Sequence, residues 1–413
     1  MFLIKTLVLL TRVYLNRVRV YINSPQACPL LSIQEFLLIL VNTSINSGEI
    51  IRNYWYKLNQ YSLFLEAFTW RCQLLLKQSI FYILIALLLF TASCTKKEET
   101  QGEETQGEVH TLNIAYGNNT DEPIHKQAEK WKELAEDRSD GRLELNLYPS
   151  SQLGDEADMI EMAINGNNII VLTAYDFLMD YVPDFGILNA PYLTEDEEDL
   201  FYLTETNWFE GLENDLRNDF GLEMISKNTL YGDRHMMTQN PVKTPEDLQG
   251  MRIRVPDNML YTRSFSEMGA SPTSMPLGDL YSSLNQGVVD GAENPLPVLT
   301  GSRTHEVTNH LSLTGHMTVI ASWVGSSSVV SDLPNDLEQI LKETSMEAGE
   351  YGQKLVKEEE RETLQNLEEN GMNIHEVNQN LFAEESEDVY DSIPSWSDGL
   401  YDHVQNLLDE KES

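Results

Sequence analysis

Thr244-Pro-Glu-Asp-Leu-Gln-Gly-Met-Arg-Ile-Arg-Val-Pro256 is the stretch from which the fold is read. Thr244 is a helix N-cap candidate, Pro245 suits the first turn, and Glu246 and Asp247 face the positive end of a helix dipole. Gly250 stops that element, and Met251–Val255 then reads as a strand. A helical start that gives way to a strand within a dozen residues is the grammar of an α/β protein.

Working outward, the same alternation recurs. Leu112, Ile114 and Tyr116 alternate with polar or small neighbours as a strand; Ile124, Ala128, Trp131 and Leu134 fall at helical spacing; Asp140-Gly141 breaks the helix before Leu143, Leu145 and Leu147 alternate again. A second unit places Met159, Ile160, Ala163 and Ile164 on a helix that ends at Gly166, followed by the apolar strand Ile169–Thr173. Downstream, Leu277, Leu280, Tyr281 and Leu284 form an amphipathic pattern closed by Gly287, ahead of Val288-Val289. Pro334 to Asn370 reads as one long helix that braces two domains, Met372–Val377 as a last strand, and Asn378–Asp391 and Asp398–Glu410 as terminal helices.

The first quarter differs in kind. Lys77 precedes the apolar run Ile80–Phe90 and the small residues Thr91-Ala92-Ser93 before Cys94. That order is a secretory signal over residues 77–94, too short to span a ~30 Å hydrocarbon core. Residues 95–108, with their repeated Glu-Glu-Thr-Gln-Gly, have the composition of an acidic flexible tether. Residues 1–76 carry no pattern that leads into the rest and are read as a doubtful leader, a mis-placed start, with a membrane-interacting segment as the alternative.

Residues 95–413 hold 20 Lys/Arg against 63 Asp/Glu, a net charge of −43. Nucleic acids and anionic membranes are captured by basic surface, so no nucleic-acid partner is expected. The cysteines are Cys28, Cys72 and Cys94, so the chain beyond Cys94 has no disulfide, thiolate metal site or cysteine nucleophile. The sequence contains no Gly-x-Ser-x-Gly elbow, His-Glu-x-x-His pair or phosphate-cradling Gly-x-x-x-x-Gly-Lys. Asp233, Arg234 and His235 are adjacent on a strand and point to opposite faces. No catalytic constellation is read from these residues, so an enzyme is not expected, and neither is a cofactor or a metal.

Four blocks carry a resemblance: Tyr148-Pro-Ser-Ser-Gln-Leu-Gly154; Tyr181-Val-Pro-Asp-Phe-Gly186 with Pro191-Tyr-Leu193; Tyr231-Gly-Asp-Arg-His235 with residues 244–256; and Gln286-Gly-Val-Val-Asp-Gly-Ala-Glu-Asn-Pro295. In order and spacing they resemble the solute receptors of TRAP transporters, the C4-dicarboxylate-binding group, from about Val109 to the C-terminus. The resemblance implies a two-lobed, periplasmic-binding-protein-like α/β fold of the class II type, with hinge strands and a long bracing helix. Lobe I is expected over 109–230 and 318–355, lobe II over 231–317 and 356–413. It also implies ligand in the cleft, with Arg254 clasping a carboxylate, Arg234 as a second contact, Asn294 hydrogen-bonding the same group, His316 near the site, and Asn118 or Asn119 contributing from lobe I. Tyr175 and Trp323 are candidates to wall the cleft. Cys94 resembles the lipidated cysteine of bacterial lipoproteins, which implies an anchor on the outer face of the cytoplasmic membrane.

The residues agree independently for Arg254. It ends a strand, where open α/β sheets present ligands, and a guanidinium meets a carboxylate with two parallel charge-assisted bonds that lysine cannot supply. Arg252, two residues earlier, is expected to pair with a structural acid. The expected function is capture of a small organic acid (a C4-dicarboxylate, a sugar acid or another carboxylate) for delivery to TRAP membrane subunits; the alternative is a sensor that docks on a membrane histidine kinase. Leu277, where some members place an aromatic, argues against sialic acid.

The charge yields a first prediction. A net of −43 repels itself, and salt shortens the screening length from ~10 Å at 0.1 M to ~3 Å at 1 M, so the thermal midpoint should climb from dilute buffer to molar salt, as in a halophilic protein. A midpoint flat across that range rejects the salt-adapted reading.

Overall fold

The computed structural model describes residues 108–412; the expected leader, the signal with Cys94 and the tether up to residue 107 lie outside the described residues. The chain begins with β1 (His110–Ala115), α1 (Pro123–Arg138), β2 (Leu143–Tyr148), α2 (Glu156–Ile164) and β3 (Ile170–Ala174). β1 pairs in parallel with β2 and β3, the two repeats that the alternation predicts. Helices α3 (Tyr175–Leu178), α4 (Glu197–Thr204) and α5 (Asn207–Phe220) follow, the last ended by Gly221 in the left-handed region at φ 66°.

β4 (Leu222–Thr238) then runs for 17 residues and meets its antiparallel partner β8 (His310–Ser326), of equal length. Between them lie β5 (Arg252–Val255), α6 (Met259–Glu267), β6 (Ser271–Ser274), α7 (Leu280–Asn285), β7 (Gly291–Pro295) and α8 (Leu296–Gly301). After β8 come α9 (Ser327–Ser331), α10 (Asn335–Glu369), β9 (Asn373–Glu376), α11 (Gln379–Ser386), α12 (Val389–Ser392) and α13 (Leu400–Glu412).

Three details depart from the sequence reading. Pro245–Leu248 is a single 3₁₀ turn, in which the Asp247 carboxylate accepts the Lys243 and Thr244 amides at 2.8 and 3.2 Å, because Gly250 at φ 71° reverses the chain at once. The strand expected at Val288-Val289 begins at Gly291, and the helix expected over 378–391 is broken into α11 and α12.

The sheet order is β2-β1-β3-β8-β4-β7-β5-β6, with β9 added to β8. β8 pairs through residues 321–325 with β3, and β4 pairs through residues 234–238 with β7. The two long strands thus each serve both halves of the fold, which is the two-lobed, hinge-strand architecture of the class II receptors. Their register slips at four places, one of them between Leu230 and Gly232. Gly232 sits at φ 120°, and a Cβ there would come within 2.5 Å of Glu360 and 3.2 Å of Pro295.

α10 is 35 residues, about 50 Å at 1.5 Å per residue, and it reaches all three apolar clusters. Leu337, Leu341 and Ala348 pack with Trp131 and Trp323; Val356 joins the central core; Leu367 joins Leu280, Leu284 and Leu299. Gly349 and Gly352 let its backbone approach Asn228 and Gln127, each of which a Cβ would meet at 2.2 Å. A helix anchored in three cores resists splaying of the halves it joins. The last helix, α13, packs on α4, where Lys411 pairs with Asp199 at 2.7 Å. Among the described residues no helix is long and apolar enough to cross a membrane.

Candidate ligand-binding cleft

A cleft of about 130 Å³ lies between the halves, far beyond the ~10–15 Å³ that one water needs. Arg234, Arg254, Asn294 and Asn118 line it, with Glu156, Asp176, Tyr231, Tyr261 and Leu277.

Arg254 is the penultimate residue of the short strand β5, which Val255 ends, and is 3% exposed. Its Nε and Nη2 both donate to the Met275 carbonyl, at 3.0 and 2.7 Å. Among the described residues no carboxylate pairs with it. Burial, with Arg234 nearby, pushes its guanidinium down to about 10, the mark of a buried cation without sufficient compensation. Arg252, on the same strand, is instead exposed and forks onto Asp290, with Nε–Oδ2 at 2.9 Å and Nη2–Oδ1 at 2.5 Å.

Arg234, on β4, is already committed. It donates to Glu293 through Nε and Nη2 at 2.5 and 2.8 Å and stacks 4.8 Å from the centre of the Tyr261 ring. Burial works against the Glu293 charge, yet Arg234 and His316 hold its carboxyl below the usual range. His316, fully buried, faces Glu293 at 3.3 Å and Thr314 at 2.8 Å and meets the Phe265 ring edge-on. The structure places it behind Glu293, off the cleft lining, where it positions the ion pair. His235, one residue from Arg234, accepts the Gly315 amide at 3.0 Å, and burial lowers it to about 3.

Asn294 follows Glu293 on β7. It is 2% exposed, and its Nδ2 has no hydrogen-bond partner. A buried amide donor without an acceptor costs free energy unless something supplies one. Of the two asparagines proposed from lobe I, Asn118 lines the cleft, donating to Glu122 at 2.7 Å and Tyr231 at 3.1 Å, while Asn119 reaches the Gly301 carbonyl at 3.3 Å.

Tyr175 and Trp323 are corrected by the structure: neither lines the cleft. The Tyr175 ring packs between Phe185 and Phe209 with its hydroxyl on the Lys227 carbonyl at 3.1 Å. Trp323 sits edge-on to Tyr116 in the first-lobe core. The short turn of α3 aims Tyr175 inward and leaves its neighbour Asp176 in the cleft.

Sequence reasoning missed the acidic side of the cleft. Glu156 accepts the Ala174 amide at 3.1 Å, and burial plus Asp176 raises its carboxyl to about 8. Asp176, raised by burial, accepts Asn189 at 2.6 Å and Asn258 at 2.5 Å. The signal was faint, since Asp155-Glu156 also reads as an ordinary helix start, and Asp155 does cap the α2 amide of Asp158 at 2.9 Å. Chemically the cleft offers one guanidinium without an acid partner, one unpaired amide donor and, opposite in character, two carboxyl groups suited to hydrogen-bond hydroxyls. Among the described residues no three His, Cys, Asp or Glu side chains are grouped to hold a metal.

Comparison with known proteins places this geometry. The family described as bacterial extracellular solute-binding protein, family 7 (DctP), matches residues 114–395. A solute-binding protein of Chromohalobacter salexigens is 30% identical over 228 residues, covering 52% of this chain and 64% of the relative, just under two thirds of its length. Among solved structures, a TRAP periplasmic solute-binding protein from Ochrobacterium anthropi with bound L-fuconate is 40% identical, with a TM-score of 0.71, over 73% of this chain and all of that one. Another, from Actinobacillus succinogenes with bound L-galactonate, is 36% identical at the same TM-score and the same coverage.

Truncating Arg254 and truncating the acid that pairs with Arg234 should have opposite effects on stability. The lowered value of Arg254 means that folding disfavours its charged form, so Arg254→Met should leave the ligand-free protein at least as stable as wild type. Glu293→Ala strands Arg234 in the interior and should cost about 3–5 kcal/mol. Chemical denaturation without ligand measures both; an Arg254→Met protein that melts well below wild type contradicts the uncompensated-cation reading.

Proposed function

The chain belongs to family 7 of the bacterial extracellular solute-binding proteins, and from that premise we propose that it is an extracytoplasmic receptor that captures a sugar acid and delivers it to a TRAP-type secondary transporter. Relatives of this kind are substrate-binding receptors, and the ligands in their solved structures are small organic anions.

The observation that carries the reading is the pairing, in one cleft, of a buried arginine that has no acid partner with an asparagine amide that has no acceptor. A ligand carboxylate satisfies both. It gives up its hydration on entering, and a preplaced bidentate cation offsets that loss. Glu156 and Asp176 refine the class: a second carboxylate, as in a C4-dicarboxylate, meets the Asp176 charge, whereas the hydroxyls of a sugar acid find polar partners on both acids. Arg234 and His316 then serve at one remove, holding Glu293 and the strand that carries Asn294.

The rest of the reading concerns the frame. The lobes divide at 109–230 with 318–355 and 231–317 with 356–413, supported by the exchange of partners along β4 and β8. The apolar run before Cys94 and the polar stretch after it support export and lipid attachment at that cysteine, which tethers the receptor to the outer face of the membrane. A mature protein whose first residue is an acylated Cys94 is the expected result of mass spectrometry on native material; peptides from residues 1–70 in that material count against it.

Calorimetry with L-fuconate, L-galactonate and succinate tests the mechanism. The sugar acids should bind and succinate should bind far more weakly. Removing one partner of a buried charge pair costs about 2–5 kcal/mol, so Arg254→Ala should weaken binding roughly 30-fold to several thousandfold, with Arg254→Lys between it and wild type. Arg252→Ala should alter melting more than affinity. A folded Arg254→Ala protein that binds within about threefold of wild type removes the carboxylate clamp.

A further inference from the structure

Asp176 joins parts of the molecule that the sequence keeps far apart. Its α3 turn follows β3, in the half of the fold opposite Arg254. Asn258 lies four residues beyond Arg254 and is the N-cap of α6, its Oδ1 accepting the Tyr261 amide at 3.2 Å. That commitment fixes the amide: Nδ2 must point away from the helix, and it donates to Asp176 Oδ2 at 2.5 Å. On the other side, Asn189 Oδ1 accepts the Ile320 amide of β8 at 3.3 Å, so its Nδ2 is likewise the donor, to Asp176 Oδ1 at 2.6 Å. Ile320 faces Leu230 beside the register slip of the hinge strands. One unbroken chain of hydrogen bonds therefore runs from the hinge through Asn189 and Asp176 to Asn258, in the short connection that follows the strand of the ligand arginine.

We propose that Asp176 and Asn258 form a latch across the cleft, which makes Asp176 a positioning residue that holds the lobes shut behind a ligand seated on Arg254. The inference rests on the capture reading above. Asp176 is 1% exposed and Asn258 7%, so the bond is shielded from water while the halves are together. Separating them breaks this bond and leaves Asn189 still attached, on the same half as Asp176. A ligand held by Arg254 orders the strand end, and Pro256 and Asp257 carry that order to Asn258. The latch thus acts on release more than on encounter, because the open form that a ligand enters lacks the bond and the closed form that it must leave has it.

Stopped-flow measurement with L-fuconate separates the two rates. Asn258→Ser keeps an N-cap oxygen and deletes the amide donor. Loss of a charge-assisted hydrogen bond corresponds to roughly ten- to a hundredfold, so the dissociation rate should rise by that factor while the association rate stays within about threefold. Asn258→Asp also keeps the cap but opposes two carboxylates, and should release faster still. Adding Asp176→Asn to Asn258→Asp exchanges donor and acceptor and should bring release back toward wild type, a rescue that a merely structural role does not predict. X-ray scattering without ligand gives an independent arm, in which Asn258→Asp should enlarge the radius of gyration and the exchanged pair restore it. Release within twofold of wild type in both single variants overturns the latch, as do equal radii for wild type and Asn258→Asp if no sugar acid binds. Failure of the wild-type protein to bind any sugar acid counts instead against the capture reading.

Discussion

The buried ion pair between Arg234 and Glu293 is the interaction on which the cleft depends. It joins β4 to β7 where β4 has left the first half of the sheet, and it is braced by His316 from β8 and by the Tyr261 ring from α6. Four elements distant in sequence, β4, β7, β8 and α6, thus converge on this one ion pair. A buried pair of this kind is a weak source of net stability, since desolvating two charges offsets much of their attraction, but breaking it is costly. Its consequence is geometric: β7 is fixed, Asn294 is presented, and Arg254 on the adjacent β5 is left as a cation without an acid.

The anion site proposed above lies within residues 95–413, which carry a net charge of −43, an electrostatic problem with a local solution. Exposed acids lie across solvent and are screened over ~8–10 Å at ordinary ionic strength, so their repulsion fades with distance. Arg254 acts at contact range in a shielded cleft, where screening is slight. Glu156, which shares that space, is pushed toward its neutral form by burial and by the charge of Asp176. It therefore costs the ligand less than a count of formal charges implies.

Movement and rigidity are divided between elements. α10 fixes three apolar cores along one axis, while the hinge strands β4 and β8 carry the register slips and the glycine at φ 120°. Glu360 of α10 accepts the Asp233 amide next to that glycine, so the brace touches the hinge where the backbone is least regular. Closure in such a frame is a rotation of two stiff bodies about a short, irregular stretch of paired strand.

The sequence by itself determined the alternation of helices and strands, the long brace and the place of Arg254 near the end of a strand, because these are local: periodicity, caps and turn residues are written in neighbouring positions. The four ordered blocks also carried the family and, with it, the two-lobed fold. What the tertiary structure decided was partnership. Arg234 and Glu293 lie 59 residues apart, and nothing local says that the first arginine is consumed and the second is not. Tyr175 and Asp176 are adjacent, yet one turn of α3 sends the ring into the core and the carboxylate into the cleft. Glu156 looked like any acid at a helix start until β3 and Asp176 closed around it. The physical reason is common to all three: a side chain's chemistry is fixed by its type, but its role is fixed by what desolvates it and what it meets there, and both are set by contacts between residues distant in the chain.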